Sequence, residues 1–359
     1  MPPTTTLVRA RRLALACAAL AAALALHAPV HAQSLTFSLF ERYLDSLREQ
    51  AGIPGMSALI SQDGVIVWER TLGRQNVETG AATTFETTYP IAGLSQTVGA
   101  TILLQKCIDE GSAALSDPVV RWNSDYPESA TTLHGLLTHS SPSGSFAYSP
   151  GRFAGLTGVI EECAAVPYPQ VAAEAIFDRL GMASTVPGHA LATSSSDRSL
   201  FDSSTLDRYE DAVRRLAVPY RVDSRDRATR NDITAVGLDA ADGIVSTARD
   251  LFRFDAALDT GVLLERDTLL AAWTRQTSGA TSLPTGLGWF VQNYRGELIV
   301  WQFGTVANAY SGLIMKAPNR RVTLILLANS DRLNAPFSLE NGDVTTSLFA
   351  QLFLQLLVP

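Results

Sequence analysis

The chain has 359 residues, a formal net charge of −7 and an isoelectric point of about 5.3. A nucleic-acid-binding protein needs a basic face, so this acidic balance argues against that class. The length is enough to bury one large core, which could be divided into two lobes.

The first 32 residues have the pattern of a cleaved export signal. Arginines between positions 9 and 12 form a positive start, an apolar run covers about 13–26, and small residues precede a predicted cut near Ala32-Gln33. A membrane anchor is the alternative, but the apolar run is short for a bilayer span and polar sequence follows it. We therefore expect a periplasmic or secreted protein without a membrane span after signal removal. The sequence does not determine the export pathway.

The part after the signal begins with a predicted helix and a β-hairpin. Apolar residues recur at helical spacing from Leu35 to about Ala51. Two β-type runs follow, Met56–Ser61 and Val65–Arg70, and the Asp63-Gly64 pair between them is typical of a hairpin turn. A helix is then predicted from Ala92 to Glu110, ended by a glycine.

The middle of the chain is mostly helical in pattern, and its last part is β-like. Short helices are predicted between 131 and 182, the polar stretch 187–232 is hard to assign, and "STARDLFRFDAAL" predicts a helix capped by Ser246 or Thr247. Four strand-like runs and an apolar-faced helix follow after Gly286. These elements predict an α+β architecture, with an antiparallel sheet flanked by both terminal helices.

This order divides residues 33–359 into two predicted lobes with a cleft between them. The sheet lobe is expected at about 33–85 and 280–359, and the mostly helical lobe at about 86–279. A cleft between two such lobes is the usual place for a ligand.

Two cysteines remain after the signal, Cys107 and Cys163, each in the C-terminal half of a predicted helix. In an oxidising compartment they could form a disulfide, and two separately buried thiols are the alternative. No metal site and no cofactor are expected, because no set of cysteines, histidines or carboxylates has the spacing of metal ligands.

Six short segments in order resemble the serine β-lactamase and D-alanyl-D-alanine carboxypeptidase group, and especially class C β-lactamases and related esterases. They are "LHGLLTHSS", "FAYSPG", "FDRLGMAST", "DGIVSTARDLFRF", "GLGWF" and "LLANSD". The resemblance covers most of the chain after the signal, and it implies the β-lactamase/transpeptidase-like fold. It also implies that the chemistry would reside in three motifs.

The three motifs are altered in this chain. The first, Ser-x-x-Lys, supplies a nucleophile and its base, and its two positions fall on Gly93 and Gln96. The second, Tyr-x-Asn, keeps Tyr148 and replaces the asparagine by proline. The third, Lys-Thr-Gly or His-x-Gly, falls on 302–304, where Gln302 replaces the basic residue and Gly304 is kept.

A shift of register does not restore the first motif. The chain contains only Lys106 and Lys316 as lysines, and neither follows a serine by three residues. Ser95 lies two residues past Gly93, so it points to the far side of the helix. Tyr148 is the only motif side chain retained, and without a cation beside it we expect a protonated phenol that is a poor base.

The resulting prediction is a catalytically inactive β-lactamase-like protein that binds a peptide, a cell-wall fragment or an acyl compound in the cleft. The predicted ligand-binding residues form a neutral set in which Gly93 is expected to leave room: Gly93, Gln96, Tyr148, Gln302 and Gly304. The alternative is a serine-type hydrolase, such as an esterase, carboxypeptidase or β-lactamase-like enzyme, with a non-standard nucleophile. His139 is expected to be a structural hydrogen-bonding residue.

Overall fold

A computed structural model describes residues 35–193, 195–234, 237–334 and 338–359. The predicted export segment therefore lies outside the described residues. Within them, no helix is both long enough and apolar enough to cross a membrane.

A seven-stranded antiparallel sheet is the largest element of the structure. The first two strands form the predicted hairpin: Asp63 and Gly64 have φ angles of 53° and 76°, as a tight two-residue turn between strands requires. The strands of this sheet are β1 Gly55–Gln62, β2 Val65–Asn76, β3 Ala81–Ala82, β11 Phe290–Tyr294, β12 Glu297–Val306, β13 Tyr310–Ala317 and β14 Val322–Ala328. Their order across the sheet is β11-β12-β13-β14-β1-β2-β3.

The terminal helices cover one face of this sheet. Helix α1 covers residues 35–50, and α10 covers Leu348–Leu357. Phe40 of α1 and Phe353 of α10 pack in one cluster with Trp301 of β12. Val300, the neighbour of Trp301 in sequence, packs in the cluster on the opposite face, because successive side chains of a strand point to opposite faces.

Helices cover the opposite face. Three short sheets lie among them, formed by β4 Tyr89–Pro90, β5 Val186–Pro187 and β8 Ile244–Ser246, by β6 Tyr220–Val222 and β7 Ala228–Arg230, and by β9 Thr277–Ser278 and β10 Thr281–Ser282. The helices are α2 Ser95–Leu103, α3 Leu133–Leu137, α4 Pro150–Phe153, α5 Leu156–Ala164, α6 Tyr168–Ala172, α7 Ser203–Arg214, α8 Ala248–Asp259 and α9 Arg266–Ala272. This is the predicted α+β, β-lactamase/transpeptidase-like fold. The exact bounds of the two lobes stay a prediction.

Helices α8 and α7 differ in how well the sequence predicts them. Thr247 is the N-cap of α8 and accepts a hydrogen bond from the Asp250 amide at 3.1 Å, as one of the two predicted caps. Helix α7 lies in the polar stretch that the pattern left unassigned, and the Asp202 carboxylate caps it by accepting from the Thr205 amide at 2.8 Å. Its polar surface weakens the periodic signal on which a helix prediction depends.

A buried ion cluster joins the sheet to α8. Lys316 of β13 is 1% exposed, and its Nζ donates to Asp255 Oδ1 at 2.8 Å and to Asp259 Oδ1 at 2.6 Å. Thr323 Oγ1 donates to the second Asp255 oxygen at 2.8 Å, and the ammonium lies 4.5 Å from the centre of the Trp273 ring. The buried lysine therefore has carboxylate partners on two sides, as a buried charge requires.

Candidate functional site

The segment before α2 begins with a turn that places Gly93 against β12. Residues Ala92–Leu94 form a 3₁₀ turn, and Ala92 has a φ of 47°, a left-handed conformation that costs free energy for a residue with a Cβ. The Ile91 amide donates to the Ile244 carbonyl at 2.9 Å, which ties the turn to β8. His139, on the facing loop, is also left-handed, with a φ of 51°.

The space beside Gly93 is filled by neighbouring atoms. A Cβ added at Gly93 would lie 2.7 Å from the Phe303 carbonyl oxygen and 2.9 Å from the Tyr148 hydroxyl oxygen. Both distances are shorter than ordinary van der Waals contact. The expectation that Gly93 leaves room for a ligand is therefore wrong, because the Tyr148 hydroxyl and a strand carbonyl already occupy that volume.

Strand β12 comes this close because Gly304 has no side chain. A Cβ added at Gly304 would lie 2.0 Å from the Ile91 carbonyl oxygen and 3.0 Å from the Gly93 nitrogen. The two glycines of the altered motifs thus face each other, and the backbones are packed directly together. Any side chain at Gly304 would push the strand away from the Gly93 turn.

Gln96, which is predicted to stand at the position of the motif lysine, is the centre of a hydrogen-bonded network. Its Nε2 donates to the Tyr148 hydroxyl oxygen at 3.2 Å, and its Oε1 lies 3.0 Å from His139 Nε2. Gln302 Nε2 donates to the same Oε1 at 3.4 Å and to the Gly288 carbonyl at 3.3 Å. Gln96 and Gln302 are 0% and 1% exposed, so the amides are enclosed rather than open to solvent.

His139 sets the direction of these hydrogen bonds. Its Nδ1 accepts from the Ser149 amide at 3.2 Å, so in a neutral imidazole the proton is on Nε2 and points to Gln96 Oε1. Burial, and next the positive charge of Arg152, lower the pKa of His139 to about 3. The ring is therefore neutral at pH 7, and Gln96 is held with its oxygen towards His139 and its NH₂ towards Tyr148.

Tyr148 lies at the edge of an aromatic group. Its ring is 4.6 Å from His139, 5.2 Å from Phe303 and 5.8 Å from Phe290, measured between ring centres. Burial raises the pKa of Tyr148 above its ordinary value, and the hydrogen bond from Gln96 offsets part of this rise. The phenol is therefore protonated at neutral pH, and because its oxygen accepts from Gln96, its own proton points to another acceptor.

The hydroxyls near Gly93 differ in their surroundings. Ser95 is 0% exposed, and its Oγ has no hydrogen-bond partner among the described residues. Thr97 Oγ1 donates to the Leu94 carbonyl at 2.8 Å, which is a local helix bond. Ser149 is only partly buried and caps α4 by accepting from the Arg152 amide at 3.3 Å.

Cys107 and Cys163 form a disulfide in this structure, with their Cα atoms 5.6 Å apart. This separation is in the usual range for a disulfide. The bond links the segment after α2 to α5, away from the Gln96 network. In the part of the chain that the structure describes, no group of three or more histidine, cysteine or carboxylate side chains could hold a metal ion.

The structure brings the five predicted ligand-binding residues into one place, although they come from three distant segments. Their ligand-binding role stays a prediction. Sequence reasoning assigned His139 a structural hydrogen bond, but did not find that Gln96 is its partner. It also missed Asn334, whose Nδ2 donates to the Gly304 carbonyl at 3.1 Å and whose Oδ1 is buried without a partner among the described residues.

The fold and the meeting of the three motif segments at one point define a β-lactamase/transpeptidase-like hydrolase fold. The beta-lactamase family model matches residues 40–344. Since this is most of the chain, the protein belongs to the beta-lactamase family.

Individual relatives are more distant. The esterase EstB of Burkholderia gladioli is 29% identical over 117 residues, which are 31% of this chain and 29% of the esterase. The aligned part therefore spans less than a third of the length of this curated relative.

Solved structures show the same fold at low identity. The octameric penicillin-binding protein homologue from Pyrococcus abyssi has a TM-score of 0.69 at 20% identity, over 89% of this chain and 77% of that one. The D-amino acid amidase from Ochrobactrum anthropi SV3 has a TM-score of 0.68 at 18% identity, over 90% and 98%. A class C beta-lactamase has a TM-score of 0.68 at 16% identity, over 89% and 96%.

Proposed function

We propose that this protein is an exported member of the beta-lactamase family that binds an amide-containing ligand without forming an acyl-enzyme at Gly93. The observation that carries this proposal is the filled space beside Gly93. A nucleophilic side chain at this position would overlap the Phe303 carbonyl oxygen and the Tyr148 hydroxyl. Acylation needs a nucleophilic side chain with an adjacent base, and a glycine at position 93 provides no side chain.

No side chain of the network is suited to be that base. The Gln96 amide does not titrate, and the pKa of Tyr148 is raised by burial. His139 has one ring nitrogen, Nδ1, with a lone pair, and the Ser149 amide already donates to it. The network therefore supports a role in holding a fixed arrangement of hydrogen-bonding groups rather than in proton transfer.

A cavity of about 390 Å³ beside this network supports ligand binding. Its lining combines apolar, amide and charged side chains: Phe303 and Thr305 of β12, Leu339, Asn334, Asp331, Arg332 and Glu340. The volume lies in the range of small-molecule sites. Asn334 is 9% exposed, and its unpartnered Oδ1 would gain a hydrogen bond from a ligand N–H group, which offsets its desolvation.

These surroundings fit a peptide or an acyl-amide compound that also carries charged or polar groups, because Asp331, Arg332 and Glu340 line the same cavity. Phe303 and Leu339 supply apolar surface, while Asn334 supplies an acceptor for an amide N–H. The structures with the same fold include an amidase solved with L-phenylalanine amide and a penicillin-binding protein homologue. Their names agree with this ligand class.

A fluorescent penicillin tests both halves of the proposal, because it contains an amide N–H and a reactive carbonyl. We expect reversible binding, measured by fluorescence anisotropy, and no covalent band after denaturing electrophoresis. Asn334→Leu should weaken the binding by about tenfold or more, the effect of a buried hydrogen bond left unmade. An activated serine-hydrolase phosphonate should also leave the protein unlabelled.

The second candidate is a hydrolase whose nucleophile is Ser149. The observation in its favour is that Ser149 is the least buried of the nearby hydroxyls and directly follows Tyr148 in the chain. A covalent band that disappears in Ser149→Ala but remains in Ser95→Ala would contradict the non-acylating role and establish this second candidate. A band lost only in Ser95→Ala would contradict both.

A further inference from the structure

A second cavity, of about 410 Å³, lies in the helical part of the protein and shares no lining residue with the site described above. One wall comes from the segment after α2 and includes Gln105 and Lys106. The opposite wall comes from the segment after α6 and includes Glu174 and Arg179. Its volume also lies in the range of small-molecule sites.

Both walls contain an uncommon helix type. The chain is π-helical at Leu104–Asp109 and again at Ala173–Asp178, and π-helical turns are rare and frequently occur at functional sites. The disulfide between Cys107 and Cys163 ties the first wall to α5, and Cys163 itself lines the cavity. A covalently fixed wall reduces the ordering that a ligand must bring about when it binds.

The first wall presents an acceptor and an ion pair. Gln105 Oε1 is buried and has no hydrogen-bond partner among the described residues, so a ligand N–H group would satisfy it. Lys106 Nζ lies 3.0 Å from Glu110 Oε1, and the two side chains are 35% and 55% exposed. An ammonium has three donors, so Lys106 can hold a second anion beside Glu110.

The opposite wall repeats this combination of charges. Arg179 Nη2 donates to the Val262 carbonyl at 2.8 Å, which uses one of the five N–H groups of a guanidinium. Glu174 Oε1 accepts from Gln170 Nε2 at 2.8 Å, which leaves a second carboxylate oxygen. The cavity is therefore lined by two cations and two carboxylates, and Gln105 is a further lining residue. Glu110, Glu174 and Arg179 are exposed to solvent.

We propose that this second cavity binds a dipeptide-sized zwitterion. The ligand carboxylate contacts Arg179 and Lys106, the ligand ammonium contacts Glu174 and Glu110, and the peptide N–H donates to Gln105 Oε1. A ligand with a single charge would meet equal numbers of like and opposite charges, whereas a zwitterion places each charge beside its opposite. Val166 and Val171 in the lining supply apolar contact for small side chains.

Calorimetric titration of the full mature protein with L-alanyl-L-alanine tests this inference. We expect saturable binding with a dissociation constant on the order of 1 mM or below, as is reasonable for a ligand of this size. Gln105→Leu should weaken binding by about tenfold, because it removes a buried acceptor for the ligand N–H group. Arg179→Gln should weaken binding by about two- to fivefold, because Arg179 is exposed and an exposed ion pair contributes less. Arg225→Gln, which removes an exposed arginine outside the cavity, is the matched control and should not change the affinity.

Two results would overturn the inference. One is equal binding by N-acetyl-alanyl-alanine amide, which has the peptide N–H but neither charge. The other is unchanged affinity in Arg179→Gln with loss of binding in Tyr148→Ala, which would place the dipeptide in the first site. Each variant is used only if its thermal unfolding midpoint stays near that of the parent protein, and Glu174→Gln replaces Arg179→Gln if that variant does not fold.

Discussion

Two buried polar networks of this protein, around Gln96 and around Lys316, differ in their chemistry: one is neutral and the other is charged. Lys316 is enclosed, and its charge is balanced by the buried carboxylate of Asp255 and the partly exposed carboxylate of Asp259. Gln96 is equally enclosed, but its contacts are an imidazole, a phenol and another amide. The resemblance to the family predicts the motif lysine at the Gln96 position, yet among the described residues the hydrogen-bond partners of the Gln96 side chain include no carboxylate that would compensate a lysine.

This difference shows that the two positions favour different side chains. A buried charge is tolerated when it is paired and hydrogen-bonded, as it is at Lys316. A neutral amide fits where the neighbours donate and accept without charge. The groups around Gln96 therefore form a neutral network whose members match one another. Introducing a single motif residue into this network should lower the stability of the fold.

The largest expected effect is that of Lys316→Met. The substitution leaves Asp255 as a buried carboxylate without its cation, which typically costs about 3–5 kcal/mol, whereas Asp259 is exposed to solvent and contributes less. Urea unfolding at pH 7 measures it, and the double variant Lys316→Met with Asp255→Leu should recover part of the loss. A loss below about 1 kcal/mol would mean that the cluster behaves like a surface ion pair.

The second effect concerns Gln96→Lys, which places a lysine where the first motif has one. Burial without a carboxylate lowers the pKa of the new ammonium, so we expect a loss of about 3 kcal/mol in unfolding free energy at pH 7. The unfolded chain binds the extra proton more readily, so the loss should be larger at pH 6 and smaller at pH 9. A loss that is the same at both pH values would show that the lysine reaches solvent or a carboxylate.

The third effect is the pH dependence that His139 gives to stability. Its pKa is lowered to about 3 in the folded protein, against about 6.5 when unfolded. As the pH falls, His139 is protonated in the unfolded chain before it is protonated in the folded protein. The stability that the neutral, buried ring contributes is therefore present above pH 6.5 and is lost as the pH falls towards 3. Between pH 7 and 5 we expect a loss of about 2 kcal/mol.

The control for this pH dependence is His139→Gln, which keeps an amide at the position but does not titrate. Urea unfolding of both proteins across the same pH range gives the difference in slope, and the carboxylates common to both cancel. Equal slopes would contradict the lowered pKa of His139.

A fourth effect, of a size similar to that of His139, is expected for Gly93→Ala. The new methyl group would press on the Phe303 carbonyl oxygen and the Tyr148 hydroxyl, and such overpacking costs about 1–3 kcal/mol. Gly158→Ala is the matched control, because Gly158 lies inside α5 and a Cβ there meets nothing within 4 Å. The control should be neutral or stabilising by up to about 1 kcal/mol, and a similar result for Gly93→Ala would show that Tyr148 moves aside easily.

Much of the fold was predictable because its signals are local. The hairpin followed from Asp63-Gly64, and the four late strands followed from apolar runs between turn residues. Helix α7 was not found, because its mostly polar surface hides the apolar periodicity. The network partners of Gln96 were also out of reach, since Tyr148 and Gln302 are 52 and 206 residues away from it in the chain.

The sequence by itself determined the fold class and the absence of a Ser-x-x-Lys motif, because a chain with lysines only at 106 and 316 cannot contain that motif in any register. Only the tertiary structure decided what replaced the motif. The closure of the space beside Gly93 depends on a distance of 2.9 Å to the hydroxyl of Tyr148, a residue from another segment. Such a distance is set by how α2, β12 and the loop before α4 pack together, and no local pattern encodes it.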